Sequence, residues 1–355
     1  MNTRIRKFKE SMKNENLDGF IIKNPINIRY FTGLNLEGTF LINKTENILL
    51  TDGRYIEEAH QLITISDEII VHDIAQYQEY DYINIFAECD KVGFEDNYIT
   101  YSNYTKLIRT FRIKEAVEAN LLIDKMREIK DDNEIKNIEI ACNITDECFL
   151  YLQDFIKIGM TEKQIAFEIY KFFIEHKAEG IAFDTIVASG KNSSKPHAIP
   201  TDKKIEFGDI ILIDFGAKYK GYCADMTRTI FVGKVTDIQK NIYKLVLDTQ
   251  NRALNKMKSN ADTKEISEYV KNEFSFNNFE FIHALGHGVG LDIHEKPFFS
   301  TRFNNKLRLN MVVTDEPGIY IPNEFGIRIE DTVLINNMEP RVLTKSNKNI
   351  TIIKG

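Results

Sequence analysis

Two acidic residues in a strand-like stretch, Asp214 and Asp225, are the first candidates for chemistry in this chain. Asp214 ends the apolar run 210–213, and Asp225 follows after a loop that contains Gly221. Glycine readily takes the positive φ of a tight hairpin turn, so we predict that the strands pair about residues 219–220 with Asp214 opposite Asp225. Directly opposite side chains lie about 4.5–5.5 Å apart, and like charges there repel. A cation is therefore expected between these carboxylates.

A second acidic pair has the same arrangement further along the chain. Glu316 and Glu330 are equidistant from a turn at residues 322–324, where proline and asparagine are typical of a hairpin loop. Between the two hairpins lies a glycine-rich segment with His283 and His287, whose imidazoles are borderline metal ligands. Four carboxylates and an imidazole suit two divalent cations about 3.5–4 Å apart. The sequence therefore predicts a dinuclear metal centre.

Four motifs carry these residues. They are, in order, DFGxxxxGYxxDxTRT from Asp214, HxxGHGxGxxxHExP from His283, EPGIY from Glu316 and GxRxED from Gly326. In this order and at these separations they resemble the metal-dependent proline peptidases of the pita-bread fold, aminopeptidase P and prolidase, with the methionine aminopeptidases as more distant relatives. The resemblance implies an α+β fold. A smaller α/β N-terminal domain, residues 1–125, would precede a pita-bread catalytic domain, residues 126–355, in which outer helices cover a curved antiparallel sheet.

The resemblance also implies a set of metal ligands. These ligands are Asp214, Asp225, His287, Glu316 and Glu330. Asp225 and Glu330 would bridge two metal ions. An oxygen-rich site with one imidazole and no thiolate favours Mn²⁺, with Co²⁺ or Zn²⁺ as substitutes. Two such ions lower the pKa of a shared water and polarise a carbonyl, so a metal-bridging hydroxide would attack the carbonyl before the proline nitrogen.

Further residues receive roles from the same resemblance. His197 and His294 would contact the substrate and stabilise the tetrahedral intermediate or relay a proton, and Glu316 would act as general base as well as ligand. His283 would line the substrate pocket or orient the loop that follows it. Arg328 lies two residues before a predicted bridging glutamate, on the same strand face, and is suited to hold that carboxylate in place. The residues expected to bind substrate are His197, His283, His294 and Arg328.

Helical and strand-like patterns alternate around these motifs. Apolar residues at helical spacing predict a helix over residues 4–14. Short strands are predicted at 19–22, 40–42, 48–50 and 68–71. From residue 131 a long amphipathic helix is predicted, capping-box sequences at Thr161 and Thr236 begin two more, and a fourth begins near Thr263. These helices are expected to lie outside the hairpins.

Composition limits the classes of partner and the compartment. The formal net charge of −7 argues against a generic nucleic-acid or anionic-membrane surface. The four cysteines show no CxxC spacing and are expected to be reduced thiols. The N-terminal stretch is polar, and no apolar run reaches the roughly 20 residues of a membrane helix. We therefore expect a cytoplasmic protein without a membrane or nucleic-acid partner.

The predicted function is an Xaa-Pro aminopeptidase, a dinuclear metal-dependent exopeptidase that hydrolyses the Xaa-Pro bond at the N-terminus of proline-containing peptides. The alternative is an Xaa-Pro dipeptidase (prolidase), which would close the site beyond the proline and pair its carboxylate with a cation. A more distant alternative is a catalytically inactive pita-bread binding module, against which the complete ligand set argues. The resemblance also implies a homodimer.

Overall fold

Alternating strands and helices build the first part of the chain. The computed structural model describes residues 3–63, 68–76, 79–302 and 304–354, and the chain divides into two units, Met1–Met126 and Arg127–Gly355. The strands of the first unit are β1 (Gly19–Ile22), β2 (Gly38–Asn43), β3 (Asn47–Thr51), β4 (Ile70–Asp73), β5 (Lys91–Phe94) and β6 (Glu115–Glu118). They form one mixed sheet in the order β4-β3-β2-β1-β5-β6. The helices to this point are α1 (Thr3–Asn14), α2 (Pro25–Thr32), α3 (Ile56–Leu62), α4 (Glu79–Ile85), α5 (Tyr101–Phe111) and α6 (Asn120–Glu128).

The helix and strands predicted for this unit are confirmed, with one difference in a boundary. Helix α1 buries Ile5, Phe8 and Met12 at the predicted spacing. Strand β4 begins at Ile70 rather than at the predicted residue 68. Glu68 has a φ of 55°, which is outside the extended region, so the strand starts after it.

Four longer helices belong to the second unit, and each begins at or next to its predicted residue. They are α7 (Asp132–Phe155), α8 (Glu162–Glu175), α9 (Asp237–Leu254) and α10 (Thr263–Phe276). The side chains of Asp131, Thr161 and Thr236 each close a capping box at the start of a helix, which satisfies backbone N–H groups that the helix leaves unpaired. Within the described ranges, no helix has both the length and the apolar character needed to span a membrane.

Antiparallel strands form the inside of the second unit. They are β7 (Gly180–Ile181), β8 (Ile186–Ser189), β9 (Ile210–Phe215), β10 (Ala217–Tyr219), β11 (Tyr222–Cys223), β12 (Met226–Val232), β13 (Gly286–Gly288), β14 (Glu295–Phe299), β15 (Val312–Asp315), β16 (Gly318–Ile321), β17 (Phe325–Arg328), β18 (Asp331–Leu334), β19 (Arg341–Val342) and β20 (Thr351–Ile353). One sheet, β20-β12-β9-β8, shares an apolar cluster with α7 and α8. Another, β14-β13-β15-β18-β19, shares one with α9 and α10. The β12–β20 pairing is parallel.

The first hairpin has a different register from the predicted one. Asp214 lies opposite Thr227, so the prediction that it faces Asp225 is wrong. The turn consists of Lys220 and Gly221 with φ values of 47° and 84°, and two positive φ values are typical of a type I′ turn. The partner position moves by two residues, and an even shift keeps side chains on the same face of a strand. Asp225 is therefore still on the face that carries Asp214.

The second hairpin has the predicted register. Asp315 pairs with Asp331 on one side, and the strands beyond them pair in the same register around the turn at residues 322–324. Glu316 and Glu330, one step further along each strand, consequently occupy opposite positions. Two separate hairpins thus each present a pair of acidic side chains.

Candidate functional site

A cavity of about 850 Å³ in the second unit collects the residues singled out from the sequence. All of them line it: Asp214, Asp225, His287, Glu316, Glu330, His197, His283, His294 and Arg328. Carboxylates reach the cavity from both hairpins, and the histidines come from β13, its flanking loops and the segment after β8. Residues far apart in the sequence are therefore brought to one place by the pairing of short strands.

Three of the predicted ligands form the densest part of the site. Asp225, His287 and Glu330 are buried, and one potential ligand atom from each lies within 4.8 Å of the others. The Nε2 atom of His287 is 3.5 Å from Oδ2 of Asp225 and 3.5 Å from Oε1 of Glu316. Its Nδ1 atom donates to the carbonyl oxygen of Gly288, which leaves Nε2 as the nitrogen with a free lone pair.

The acidic side chains are crowded, with Asp225 and Glu330 buried and Glu316 partly buried, and this environment shifts their pKa values. Burial, followed by repulsion from neighbouring carboxylates, raises the pKa of Asp225 and of Glu330 well above the usual range. Burial raises the pKa of Glu316 to about 8, with repulsion from Asp214 adding to it. Burial and the nearby His294 lower the pKa of His287 to about 4. A neutral imidazole beside carboxylates that repel one another is an arrangement that a cation stabilises.

The donor set fits divalent metal ions. Within the described part of the chain, Oδ1 of Asp214 is buried without any hydrogen-bond partner, and an unpaired buried carboxylate oxygen is costly unless something binds it. Carboxylate oxygens with one imidazole are the ligands that hard and borderline divalent cations prefer. Asp214, Asp225, His287, Glu316 and Glu330 are therefore suited to hold such ions.

The Arg328 side chain binds residues of the first hairpin, and not the glutamate that follows it on its own hairpin. Its Nη2 atom donates to Oδ2 of Asp214 at 2.6 Å, Nε donates to the hydroxyl of Thr227 at 3.0 Å, and Nη1 donates to the hydroxyl of Tyr320 at 2.6 Å. Its carboxylate partner is thus Asp214, and not one of the two acids expected to bridge the metals. Nη1 also donates to the carbonyl of Pro196 at 3.3 Å. The guanidinium thus holds one oxygen of Asp214, and the other, Oδ1, has no hydrogen-bond partner among the described residues.

Replacement of Arg328 by methionine is expected to lower the free energy of unfolding of the metal-free protein by about 3–5 kcal/mol, because it leaves the Asp214 carboxylate, whose side chain is only 13% exposed, without its partner. Urea denaturation measures the change. Arg308→Met is the matched control, since Arg308 pairs with Glu128 on the surface and exposed pairs contribute only about 0–1 kcal/mol. Equal losses in the two variants would contradict the prediction.

Three hydroxyl groups complete the site and were not singled out from the sequence. The Thr227 hydroxyl donates to Oε2 of Glu330 at 2.6 Å, and the Thr314 hydroxyl lies 3.2 Å from Oε1 of Glu316. Both threonines are two residues from a predicted ligand, so strand alternation places them on the same face. The third is Tyr320. Because side chains alternate along a strand, the residues two and four positions from each predicted acid share its face, and this pattern would have identified all three.

His283 is fixed by contacts at both ring nitrogens. Nδ1 lies 2.8 Å from the carbonyl of Ala284, and Nε2 lies 3.1 Å from the hydroxyl of Tyr320. Because a carbonyl can only accept, Nδ1 carries the proton and Nε2 accepts from the tyrosine. Burial, followed by the charge of Arg328, lowers the pKa of His283 to about 4. His283 is therefore a neutral wall of the cavity with both nitrogens occupied.

Glu295, next to His294, fixes the segment that carries this histidine by pairing with two buried basic residues. Its carboxylate lies 2.5 Å from Arg127 and 2.5 Å from Lys130, and all three side chains are buried. A Cβ on Gly290 would lie 2.2 Å from this carboxylate, so any other residue there would have to displace a side chain that two cations hold in place. The HGxG sequence that precedes His294 is consequently a packing requirement as well as a motif.

Comparisons with known proteins agree with this geometry. Residues 136–337 match metallopeptidase family M24, and residues 4–129 match the creatinase/prolidase N-terminal domain. The Xaa-Pro dipeptidase of Pyrococcus furiosus is 35% identical over 355 residues, which cover 99% of this chain and 100% of that protein.

Solved structures give the same result. The Xaa-Pro dipeptidase from Bacillus anthracis superposes with a TM-score of 0.92 at 35% identity, covering 99% of both chains. The X-Pro aminopeptidase from Thermotoga maritima superposes with a TM-score of 0.89 at 32% identity, covering 97% of this chain and 100% of that one. The predicted fold, a pita-bread domain after a smaller N-terminal domain, is confirmed. The chain belongs to metallopeptidase family M24.

Proposed function

We propose that this protein is a divalent-metal-dependent Xaa-Pro dipeptidase. The observation that carries the proposal is the cluster of Asp225, His287 and Glu330, flanked by Glu316 and Asp214, in a single cavity. These five side chains would hold two metal ions, for which Mn²⁺ is our choice because oxygen ligands predominate. When bound, such ions lower the pKa of a water molecule and polarise a carbonyl group.

The protein's own side chains would carry out the proton transfers. Glu316 is the proposed general base, because its carboxylate lies at the edge of the ligand cluster, 3.5 Å from Nε2 of His287, where it could accept a proton from a metal-bound water and return it. His197 and His294 line the cavity and are the proposed contacts to the peptide carbonyl and to the leaving nitrogen. His283 has both nitrogens engaged and would contribute shape rather than a proton.

The dipeptidase specificity is favoured by relatives. Proteins named Xaa-Pro dipeptidase from Pyrococcus furiosus and Pyrococcus horikoshii are 35% and 36% identical to this chain over 99% of its length. These relatives support the alternative prediction, an Xaa-Pro dipeptidase, better than the main prediction of an Xaa-Pro aminopeptidase. Homodimer formation and a cytoplasmic location stay predictions.

An Xaa-Pro aminopeptidase is the second candidate, and one feature of the cavity favours it. A dipeptide places its own carboxylate in the site, which calls for a cation. Among the described residues that line the cavity, Arg328 is the only arginine or lysine, and it already binds Asp214 and Tyr320. A longer peptide needs no such cation. The Thermotoga maritima relative is named an aminopeptidase.

Hydrolysis of a dipeptide Xaa-Pro and of a tripeptide Xaa-Pro-Yaa by the Mn²⁺-loaded protein distinguishes the candidates. We expect cleavage of the dipeptide, and its loss in Glu316→Ala but not in Glu324→Ala, which changes an exposed hairpin residue. Cleavage of the tripeptide alone would establish the aminopeptidase. If the protein cuts neither peptide with Mn²⁺ or Co²⁺, the peptidase assignment is wrong.

A further inference from the structure

A buried glutamate outside the cavity holds the loop that carries His197. Glu162 is the first residue of α8, and its side chain is completely buried. Its Oε1 atom accepts from the backbone N–H and the hydroxyl of Ser189 at 2.7 and 2.8 Å. Its Oε2 atom accepts from the backbone N–H and the hydroxyl of Thr201 at 2.9 and 2.6 Å. Asn192 donates to both oxygens. One carboxylate thus joins the two ends of the loop 190–200.

The start of α8 does not require this carboxylate. Thr161 and Gln164 already form a complete capping box there, and an acidic residue in the first turn interacts favourably with the helix dipole without being buried. Burial of an ionised carboxylate is costly unless hydrogen bonds compensate for it. Burial raises the pKa of Glu162, but the hydrogen bonds from Thr201, Ser189 and Asn192 outweigh this effect and lower it. The carboxylate is therefore kept charged by the loop itself.

The loop between these two ends reaches the cavity. Pro196, His197, Ala198, Ile199 and Pro200 all line it. The Ser193 hydroxyl accepts from the backbone N–H of Gly326, and the Pro196 carbonyl accepts from Arg328, which binds Asp214. A shift of this loop would therefore move an imidazole in the cavity and disturb the partner of a proposed metal ligand.

We propose that Glu162 is a positioning residue that fixes His197 relative to the metal ligands. The proposal rests on the proposed function for the role of His197, but the anchoring itself does not. Charge-assisted hydrogen bonds to a carboxylate are about twice as strong as neutral ones, so one buried carboxylate with several loop donors makes the loop rigid. A glutamine at this position would turn an N–H group toward backbone donors and release one end of the loop.

Hydrogen exchange of the Mn²⁺-loaded protein and peptide hydrolysis test the proposal together. In Glu162→Gln we expect faster exchange in residues 190–201, unchanged exchange in β15 and β18, and a loss in kcat/KM of about 10- to 100-fold. In a His197→Ala background the same substitution should change kcat/KM by less than about 2-fold, because effects that act through one residue are not additive.

Glu134→Gln is the matched control. Glu134 is also a buried glutamate at the start of a helix, where it accepts from the backbone N–H of Asp131 and the hydroxyl of Tyr222. The Glu134→Gln variant should have a lower melting temperature than the parent, with unchanged kcat/KM and unchanged exchange in residues 190–201. If Glu162→Gln does not fold, Thr201→Val takes its place, because it removes one hydroxyl donor and keeps the carboxylate. We expect it to change loop exchange and kcat/KM in the same direction as Glu162→Gln, by a smaller amount.

Two results would overturn the positioning role: unchanged exchange in residues 190–201, or a loss in kcat/KM that persists at full size without His197. Faster loop exchange in a protein whose parent cleaves no peptide would instead overturn the proposed function and support the anchoring. The failures of the two proposals are therefore distinguishable.

Discussion

Glu330→Gln is expected to lower kcat/KM by between about 10² and 10³-fold, while the metal-free variant is more stable than the metal-free parent at neutral pH. The activity falls because a proposed metal ligand loses its charge. Changes to the hydrogen-bond partners of metal ligands cost about 10- to 100-fold, so a change to a ligand itself should cost more. The geometry is preserved, since a glutamine oxygen can still accept the hydrogen bond from Thr227.

The gain in stability comes from the same crowding of carboxylates that suits the site to metal ions. Burial and repulsion from Glu316 and Asp214 raise the pKa of Glu330 well above the usual range. Because this pKa is raised on folding, the folded chain holds the proton more tightly than the unfolded chain, so stability present at low pH is lost as the pH rises, at a cost to the folded state. An amide has no such proton, so the variant avoids this cost. At pH 4 the carboxyl is largely protonated in both states, and the difference should disappear.

Urea denaturation at pH 4 and pH 7, with a chelator present, measures the stability effect, and peptide hydrolysis measures the activity. Glu324→Gln serves as the control, because Glu324 is exposed at the tip of the second hairpin, and surface substitutions usually change stability by less than about 0.5 kcal/mol. A variant that is both inactive and less stable at pH 7 would show that Glu330 is mainly a structural residue.

Metal-free protein is expected to lose stability as the pH rises from about 5 to 8, and a divalent cation should restore it. The pKa of Glu316 is raised from 4.5 to about 8 by burial and by Asp214. Below the lower value, the carboxyl is protonated in both the folded and the unfolded chain. Between the two values only the folded chain keeps the proton, so the stability present at low pH is lost as the pH approaches 8.

The size of this effect follows from about 1.4 kcal/mol per pH unit for one group, or about 3 kcal/mol between pH 4.5 and 7. Asp225 and Glu330, whose pKa values are also raised, act in the same direction. Metal binding requires ionised carboxylates and removes the repulsion. At 100 times its Kd, an ion that binds only the folded state adds about 2.7 kcal/mol.

Denaturation midpoints at pH 5, 6, 7 and 8, with chelator and with Mn²⁺, check the prediction. Glu316→Gln should have a smaller slope of stability against pH in the metal-free state, because one of the responsible groups is absent. A slope equal to that of the parent, or a midpoint that Mn²⁺ does not raise, would contradict the assignment of this cluster as a metal centre.

Local features of the fold could be predicted from the sequence alone. The capping boxes at Thr161 and Thr236 fixed the starts of two helices, because a cap involves side-chain and backbone groups only three residues apart. Strand alternation placed acids on one face of each hairpin, and all nine predicted site residues line the same cavity. For the second hairpin the register was also correct, since its turn is symmetric about Asn323.

The first hairpin shows where such reasoning fails. Its register depends on Lys220 taking a positive φ beside Gly221, a conformation that is uncommon for residues other than glycine. Placing the turn one residue early put Asp214 opposite Asp225 instead of Thr227. The chemical conclusion survived only because a shift of two positions preserves the face.

Contacts between distant segments were decided by the tertiary structure. Arg328 binds Asp214, 114 residues away, although its nearest acid in the sequence is Glu330. Glu162 binds the two ends of the His197 loop, and Glu295 pairs with Arg127 and Lys130. Residue types and local periodicity determined which side chains could do chemistry and on which strand face they lie. Packing of separate elements determined their partners, because a buried charge is stabilised by whichever polar groups the fold brings within hydrogen-bond distance.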